Sequence, residues 1–183
     1  MKVLALCGSL RPRSSTERAL DVALAAAAAA GATTETLLLR ELALPFCDGR
    51  DDPDTYGGDA ARFRRALIEA DAILIGSPEY HGSLSGPLKN ALDLLRPQEL
   101  RGKMVGLLAT AKGEAGAMNT LNHLRHIFRW MEAWVLPNQV SIPLAQQAFD
   151  ASGAISRPGL AADLDALGRE VVRYAGLLAG ATR

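Results

Sequence analysis

Apolar residues recur in two rhythms along this chain. Val3-Leu-Ala-Leu-Cys7, Ala72-Ile-Leu-Ile-Gly76 and Met104-Val-Gly-Leu-Leu-Ala109 are runs with no polar alternation. Such runs suit strands buried on both faces of a sheet. Elsewhere apolar positions return at helical spacing, as at Leu88, Ala91, Leu92 and Leu95. With the turn residues, the pattern predicts strands at 2–7, 33–39, 72–76, 104–109 and 134–141. It predicts helices at 15–30, 59–70, 86–96, 117–131 and 160–179, the first ended by Gly31. Strand and helix alternate throughout, the pattern of an α/β fold with a parallel sheet wrapped by helices on both faces. No repeat or interdomain linker interrupts it, so residues 1–183 read as one domain.

Two connections are longer than such a fold needs. Residues 41–58 carry Pro45, Asp48-Gly49, Asp52-Pro53 and Gly57-Gly58, and residues 143–158 carry the turn signal Asp150-Ala-Ser-Gly153. Long connections of this kind are lids, binding loops or subunit contacts when they are not plain surface loops.

In an open parallel sheet, ligands bind at the carboxyl ends of strands. The first such end runs into Gly8-Ser-Leu-Arg-Pro-Arg-Ser-Ser-Thr16, and an alanine-rich helix begins near Ser14 or Ser15. Ser and Thr supply capping oxygens there, and Glu17 is an acid at the positive helix end. The unpaired amides, with about half a positive charge from the helix dipole, suit a phosphate. Ser9, Ser14 and Thr16 add hydroxyl donors, and Arg11 adds a charge-assisted bond. The spacing is neither Gly-x-Gly-x-x-Gly nor a Walker loop, and read alone it also describes an ordinary cap. The third strand runs into Ser77-Pro-Glu-Tyr-His-Gly-Ser-Leu-Ser-Gly86, small residues around one aromatic, Tyr80. Gly82 and Gly86 permit close backbone approach, and Ser77, Ser83 and Ser85 bring hydroxyls. This loop suits a flat polar molecule held edge-on.

Composition narrows the classes of partner. Lysine plus arginine and aspartate plus glutamate both number 20, so no basic field points to nucleic acid. Aromatics at 5% are too few for a single-strand stacking surface. The apolar start resembles a signal peptide only briefly, and the alanine run at 23–30 is too short to span a bilayer. Cys7 and Cys47 form no disulfide framework, and a reducing cytoplasm is the expected home.

Gly8-Ser-Leu-Arg11 and Ser14, followed by Ser77-Pro-Glu-Tyr-His-Gly-Ser and Gly86-Pro-Leu-Lys-Asn-Ala-Leu-Asp93, resemble the NAD(P)H-dependent FMN reductases. That family has the flavodoxin-like fold and includes quinone, azo-dye and chromate reductases. The similarity runs in motif order from residue 2 to about residue 140. It implies a three-layer sandwich with strand order 2-1-3-4-5. It implies FMN as cofactor, its phosphate on Ser9, Arg11, Ser14 and Thr16, with Ser15 alongside. Pro78, Glu79, Tyr80, His81, Gly82 and Ser83 would lie beside the isoalloxazine ring. The loop Thr110–Gly116, with Lys112, Gly113 and Gly116, would form the third edge, its glycines admitting close approach. The family usually has asparagine at the position of Thr16 and often at that of His81. The resemblance also implies NAD(P)H as cosubstrate, a small-molecule electron acceptor and a ping-pong cycle with no protein acid, base or nucleophile. It implies a homodimer or homotetramer with helices 86–96 and 117–131 at the contact, where His123, His126 and Trp130 are candidates. For a cosubstrate 2′-phosphate, Arg13, Arg18 and Lys112 are candidates between which no spacing rule chooses.

Rival readings exist. Cys7-x5-Arg13-Ser14 has the spacing of a low-molecular-weight cysteine phosphatase loop. Against it, Pro12 removes an amide from the cradle and the only Asp-Pro pair, Asp52-Pro53, comes early. A flavodoxin-like electron carrier would normally be acidic and richer in aromatics, and a binding module that lost its flavin would keep the fold alone. His123 and His126 lack a third metal ligand, and Trp130, Met131 and Trp134 read as core or interface. Asp48, Asp51, Asp52 and Asp54 read as solvated turns, because the glycine and glutamate spacing of a calcium loop is missing.

Overall fold

The computed structural model describes residues 1–181. Strands β1 (Lys2–Cys7), β2 (Thr33–Leu38), β3 (Ala72–Pro78), β4 (Met104–Thr110) and β5 (Trp134–Ile142) form one parallel sheet in the order β2-β1-β3-β4-β5. Helices α1 (Ser15–Ala29), α2 (Gly58–Glu69), α3 (Gly86–Asp93), α4 (Met118–Trp130) and α5 (Leu160–Ala181) cover its two faces. The three apolar runs are the three inner strands, and every residue of β3 and β4 is buried. Alternate residues feed opposite layers. Leu4, Leu6, Ile73, Ile75, Val105 and Leu107 join Phe63, Leu88 and Leu121 of α2, α3 and α4. Val3, Ala5, Leu74 and Leu108 join Leu20 and Leu164 of α1 and α5.

The alanine run of α1 is a packing surface. Ala19, Ala23, Ala26 and Ala27 are buried, and α5 crosses them at Gly168, where a Cβ would lie 2.0 Å from the Ala23 carbonyl oxygen. No larger side chain fits between the two backbones. Two elements depart from expectation. The third helix stops at Asp93 rather than 96, because Pro97 opens a 3-10 turn and holds Arg96 extended at φ −99° and ψ 156°. Within β5, pairing with β4 slips from Val105↔Val135 to Leu107↔Gln139. Pro137 has no N–H for the ladder, and the Arg125 guanidinium takes the Leu136 and Pro137 carbonyls at 2.6 and 2.7 Å.

Residues 41–58 are tethered at several points. The Asn90 side chain donates to the Pro45 carbonyl at 2.9 Å and accepts the Cys47 N–H at 3.0 Å. The acidic turns are exposed, and arginines meet them: Arg50 on Asp48, Arg96 on Asp52 and Arg64 on Asp54. Arg64 also holds Glu99, both side chains buried, and the second Glu99 oxygen accepts the Arg96 N–H. One buried carboxylate therefore joins α2, the turn after α3 and, through Arg64, the long segment. Among the described residues, no helix is long and apolar enough to cross a membrane.

Removing one partner of a buried pair strands the other charge. Glu99→Ala is expected to lower the unfolding free energy by about 3–5 kcal/mol, read by urea titration. A loss below about 1 kcal/mol would mean that the pair does not anchor this region.

Candidate active site at the carboxyl edge of the sheet

β1 and β3 are neighbours whose helices leave to opposite faces, so a crevice opens where they end. The pairing continues past β1, where the Gly8 N–H donates to the Gly76 carbonyl at 2.8 Å. A Cβ on Gly8 would sit 2.9 Å from Leu88 Cβ of α3. Ser85 caps α3, its hydroxyl donating to the Gly8 carbonyl at 2.7 Å and accepting the Leu88 N–H at 3.3 Å. The Ser85 N–H in turn bonds Ser77 Oγ at 3.1 Å.

The hydroxyls in the first loop divide into two groups. Ser9 Oγ accepts the Arg11 N–H at 3.3 Å, and Ser14 Oγ, the N-cap of α1, accepts the Glu17 N–H at 3.1 Å. Acceptance leaves the Ser9 hydroxyl proton available to a ligand, whereas the Ser14 hydroxyl also meets the Cys7 thiol. Ser15 instead donates to the Ala145 carbonyl at 2.8 Å, and Thr16 is buried with Oγ1 on Thr110 Oγ1 at 2.8 Å. The Ser15 hydroxyl proton and the Thr16 hydroxyl are therefore engaged within the protein. Among the described residues, no protein acceptor takes the N–H groups of Ser14, Ser15 or Thr16, as at any helix start without further caps. Glu17, the one acid of that turn, is held by Arg40 in two bonds of 2.7 and 2.9 Å, so the helix end stays positive.

The second loop is a tight hairpin. Tyr80 and Ser83 exchange backbone bonds of 2.9 and 3.1 Å around His81 at φ 51° and Gly82 at φ 76°. Two left-handed residues make this a primed turn, a conformation that asparagine tolerates well and that histidine adopts here. Glu79 anchors the hairpin, its N–H on the Thr110 carbonyl at 2.7 Å and its carboxylate accepting the Thr120 N–H of α4 at 3.0 Å. Ser83 Oγ meets His123 Nδ1 at 2.9 Å. Tyr80 is 48% exposed.

The third loop follows β4. Its amides at Lys112, Gly113, Glu114 and Ala115 have no protein acceptor among the described residues. The Gly113 carbonyl accepts from Gly116 and Leu144 at 3.4 and 3.2 Å. Gly116, at φ 75°, is demanded by the fold, since a Cβ there would lie 2.6 Å from Ser141 Oγ. Gly86 and Gly113 have open space around them instead, so protein packing does not require them.

These loops border a cleft of about 360 Å³ lined by Arg11, Ser15, Pro78, Glu79, Tyr80 and Lys112. Thr110, Ala111, Ala145 and Gln146 complete it. His81, Gly82, Ser83, Gly113 and Gly116 shape the loops behind its walls, and Ser9, Ser14 and Thr16 lie deeper at the α1 end. Ala145 and Gln146 are additions to the residues nominated from sequence. Their only sequence signal is the length of the segment 143–158, and the Ala145 N–H on the Ala111 carbonyl at 2.9 Å is what brings them in. A donor set of free amides and one arginine at the α1 end fits a phosphate monoester. The free amide of Lys112 on the cleft wall, with the loop that follows it, fits the carbonyl-rich edge of a flavin.

The same geometry overturns the cysteine-phosphatase reading. Cys7 is buried with its thiol toward the Ser9 carbonyl at 3.9 Å, and burial pushes that thiol above its ordinary value. A phosphatase nucleophile is an accessible thiolate. His123 is engaged with Ser83, and among the described residues no group of acids, cysteines and histidines has metal-site geometry. Of the residues read as core or interface, Met131 is buried, whereas Trp130 and Trp134 are 69% and 59% exposed.

Comparison with known proteins agrees with the motif order. A family model described as NADPH-dependent FMN reductase matches residues 1–147. An NAD(P)H-dependent FMN reductase of Pseudomonas aeruginosa is 34% identical, with 85% of this chain and 84% of that protein covered. An NAD(P)H-dependent FAD/FMN reductase of Geobacillus thermodenitrificans is 34% identical over 58% of this chain, and the match spans 57% of that relative's length. Among solved structures, the flavoenzyme NAD(P)H:(acceptor) oxidoreductase FerB of Paracoccus denitrificans superposes with a TM-score of 0.76 at 24% identity, covering 96% of this chain and 97% of that one. The length of the family match and the identity to the Pseudomonas protein place the relationship beyond fold alone: this chain belongs to the NADPH-dependent FMN reductase family.

Proposed function

We propose that the protein carries FMN in the cleft at the carboxyl edge of its sheet and catalyses two-electron transfer from NAD(P)H to a small acceptor. It is an oxidoreductase of the flavoprotein type, with FMN as cofactor and NAD(P)H as cosubstrate. The observation that carries the reading is the pair of loops with unaccepted amides, residues 14–16 and 112–115, of which Ser15 and Lys112 line the cleft itself. Arg11, the hydroxyls of Ser9 and Ser14 and the amides at the start of α1 would hold the phosphate. Amides of the loop 112–115 would face the polar edge of the ring and favour negative charge there, as oxyanion donors do. Bound flavin supplies the hydride chemistry, and the chain orients and tunes it. Pro78, Glu79 and Tyr80 form one wall, with Glu79 fixed by the first turn of α4. Among the described residues Tyr80 is the only aromatic that lines the cleft, so one face of a bound planar ring would stay open for a nicotinamide and then for the acceptor. An open face serves a ping-pong exchange better than a carrier that sandwiches its flavin, and it suits free flavin, quinone, azo compound or chromate alike.

FMN has roughly 31 heavy atoms, and at about −0.3 kcal/mol each its affinity is about −9 kcal/mol, a Kd near ~10⁻⁷ M. Purified protein, with FMN added if colourless, is expected to show flavin bands that bleach directly on anaerobic NADPH. Absence of flavin binding at ~100 μM, or bound flavin that NAD(P)H does not bleach, would sink the reading. Arg11→Ala is expected to weaken FMN by roughly tenfold or more, the loss of one charged hydrogen bond. An FMN Kd unchanged within about twofold would remove Arg11 from the phosphate site.

The chain is further proposed to work as a homodimer, or a dimer of such dimers, through α3 and α4. Support comes from Trp130 and Phe46, 69% and 88% exposed, and from the exposed His123 and His126 on α4. Light scattering is expected to return at least twice the 19.4 kDa chain mass. A monomer at working concentration would remove this arrangement.

A further inference from the structure

Arg11, Arg13 and Arg18 surround a hollow of about 280 Å³ at the start of α1, where Ser14 and Ser15 line it together with Gln146 and Phe149. It adjoins the ring cleft, sharing Arg11, Ser15, Ala145 and Gln146 with it. The chain has as many acids as bases, 20 of each, and Arg40, Arg50, Arg64 and Arg96 all hold carboxylates. Arg62, Arg65 and Arg129 hold none among the described residues, but at this hollow three such side chains converge. Among the described residues, none of the three guanidiniums has a carboxylate within ion-pair distance. Arg18 donates to the backbone carbonyl of Asp150 at 3.2 Å, while the Asp150 carboxylate is taken by Ser152 and the Ala154 N–H at 2.6 and 3.0 Å. Among the described residues, the side chains of Arg11 and Arg13 have no hydrogen-bond partner.

The charge is more than one phosphate needs. A phosphate monoester brings about −1.5 to −2 charges, and Arg11 with the helix end supplies about +1.5. Arg13 and Arg18 then remain as two fork-shaped donors on a hollow that a ligand of the ring cleft reaches across shared residues. Guanidinium forks match phosphate oxygens in paired bonds, and dinucleotide sites that take a 2′-phosphate place an arginine on it. Lys112, the other cation within reach, lines the ring cleft and not this hollow.

We propose that Arg13 and Arg18 bind the 2′-phosphate of NADPH and so set a preference for the phosphorylated over the unphosphorylated nicotinamide dinucleotide. The inference rests on the flavin-reductase reading above. The test uses FMN-loaded protein, its loading confirmed by absorbance before any adenosine ligand is added. Calorimetric titration compares adenosine 2′,5′-bisphosphate with 5′-AMP, and kcat/KM is measured for NADPH and NADH. The variant is Arg13→Asn with Arg18→Gln, because asparagine tolerates the left-handed backbone at φ 51°. Wild type is expected to bind the bisphosphate more tightly. The variant is expected to lose roughly tenfold to a hundredfold of that advantage and of the NADPH:NADH preference, as for one or two charged hydrogen bonds. Arg13→Lys with Arg18→Lys keeps the charge and is expected to retain most of both. No bisphosphate advantage in wild type, or an unchanged one in the neutral variant, overturns the assignment. Loss of FMN affinity in the neutral variant in place of dinucleotide preference also overturns it, since the arginines would then serve the flavin phosphate. A wild-type protein that takes no FMN fails at the absorbance step, which identifies the flavin reading itself as the error.

Discussion

The seam between β1 and β3 is the constraint on which the rest of the molecule depends. Two glycines make it possible, each clearing space for the helix that follows the other strand. At Gly8 a side chain would strike Leu88 of α3, and at Gly76 it would strike Leu20 and Thr16 of α1, 2.7 and 2.9 Å away. The helices can therefore start immediately beside the strand ends while leaving to opposite faces. Both helix starts then converge on one crevice, and the Gly8–Gly76 hydrogen bond keeps the strand ends from parting.

What the crevice offers chemically follows from which polar groups the protein satisfies itself. Ser77, Ser85 and the Thr16–Thr110 pair spend their hydrogen bonds on joining strands to helices. Ser9 and Ser14 accept backbone protons, and Ser9 keeps its own. Arg40 neutralises Glu17, and Glu79 neutralises the first turn of α4 rather than that of α1. The α1 end is left positive and rich in donors, the reverse of what an acidic carrier surface would present. A site of this kind recognises an anion without a charged side chain at every contact.

The long connections serve as walls and braces. Segment 41–58 is tethered by Asn90, Arg64 and Arg96, and through Arg64 and Arg96 to the buried carboxylate of Glu99. The turn after β5 folds back so that Ala145 bonds Ala111, which sets Gln146 between the ring cleft and the arginine hollow. Length alone marked both segments as candidates to flank a ligand, and only the second lines the cleft.

The strand–helix alternation, the inner strands and the two loops at strand ends were legible in the sequence, because burial on both faces and helical spacing are local patterns. The proline at 97 and the slip at Pro137 were visible as residues, yet their effects on helix length and register depend on neighbours. Thr16 looks like a phosphate hydroxyl in sequence, and only packing shows it meeting Thr110, 94 residues away, while Ser15 donates to Ala145, 130 residues away. Arg13, Arg18 and Lys112 were equivalent cations until packing put two on one hollow and the third elsewhere. By itself the sequence determined the order of elements and the chemistry available at each strand end, since both are written in adjacent residues. Only the tertiary structure decided which of those groups remain free for a ligand, because hydrogen bonds and charges are satisfied by partners distant in the chain.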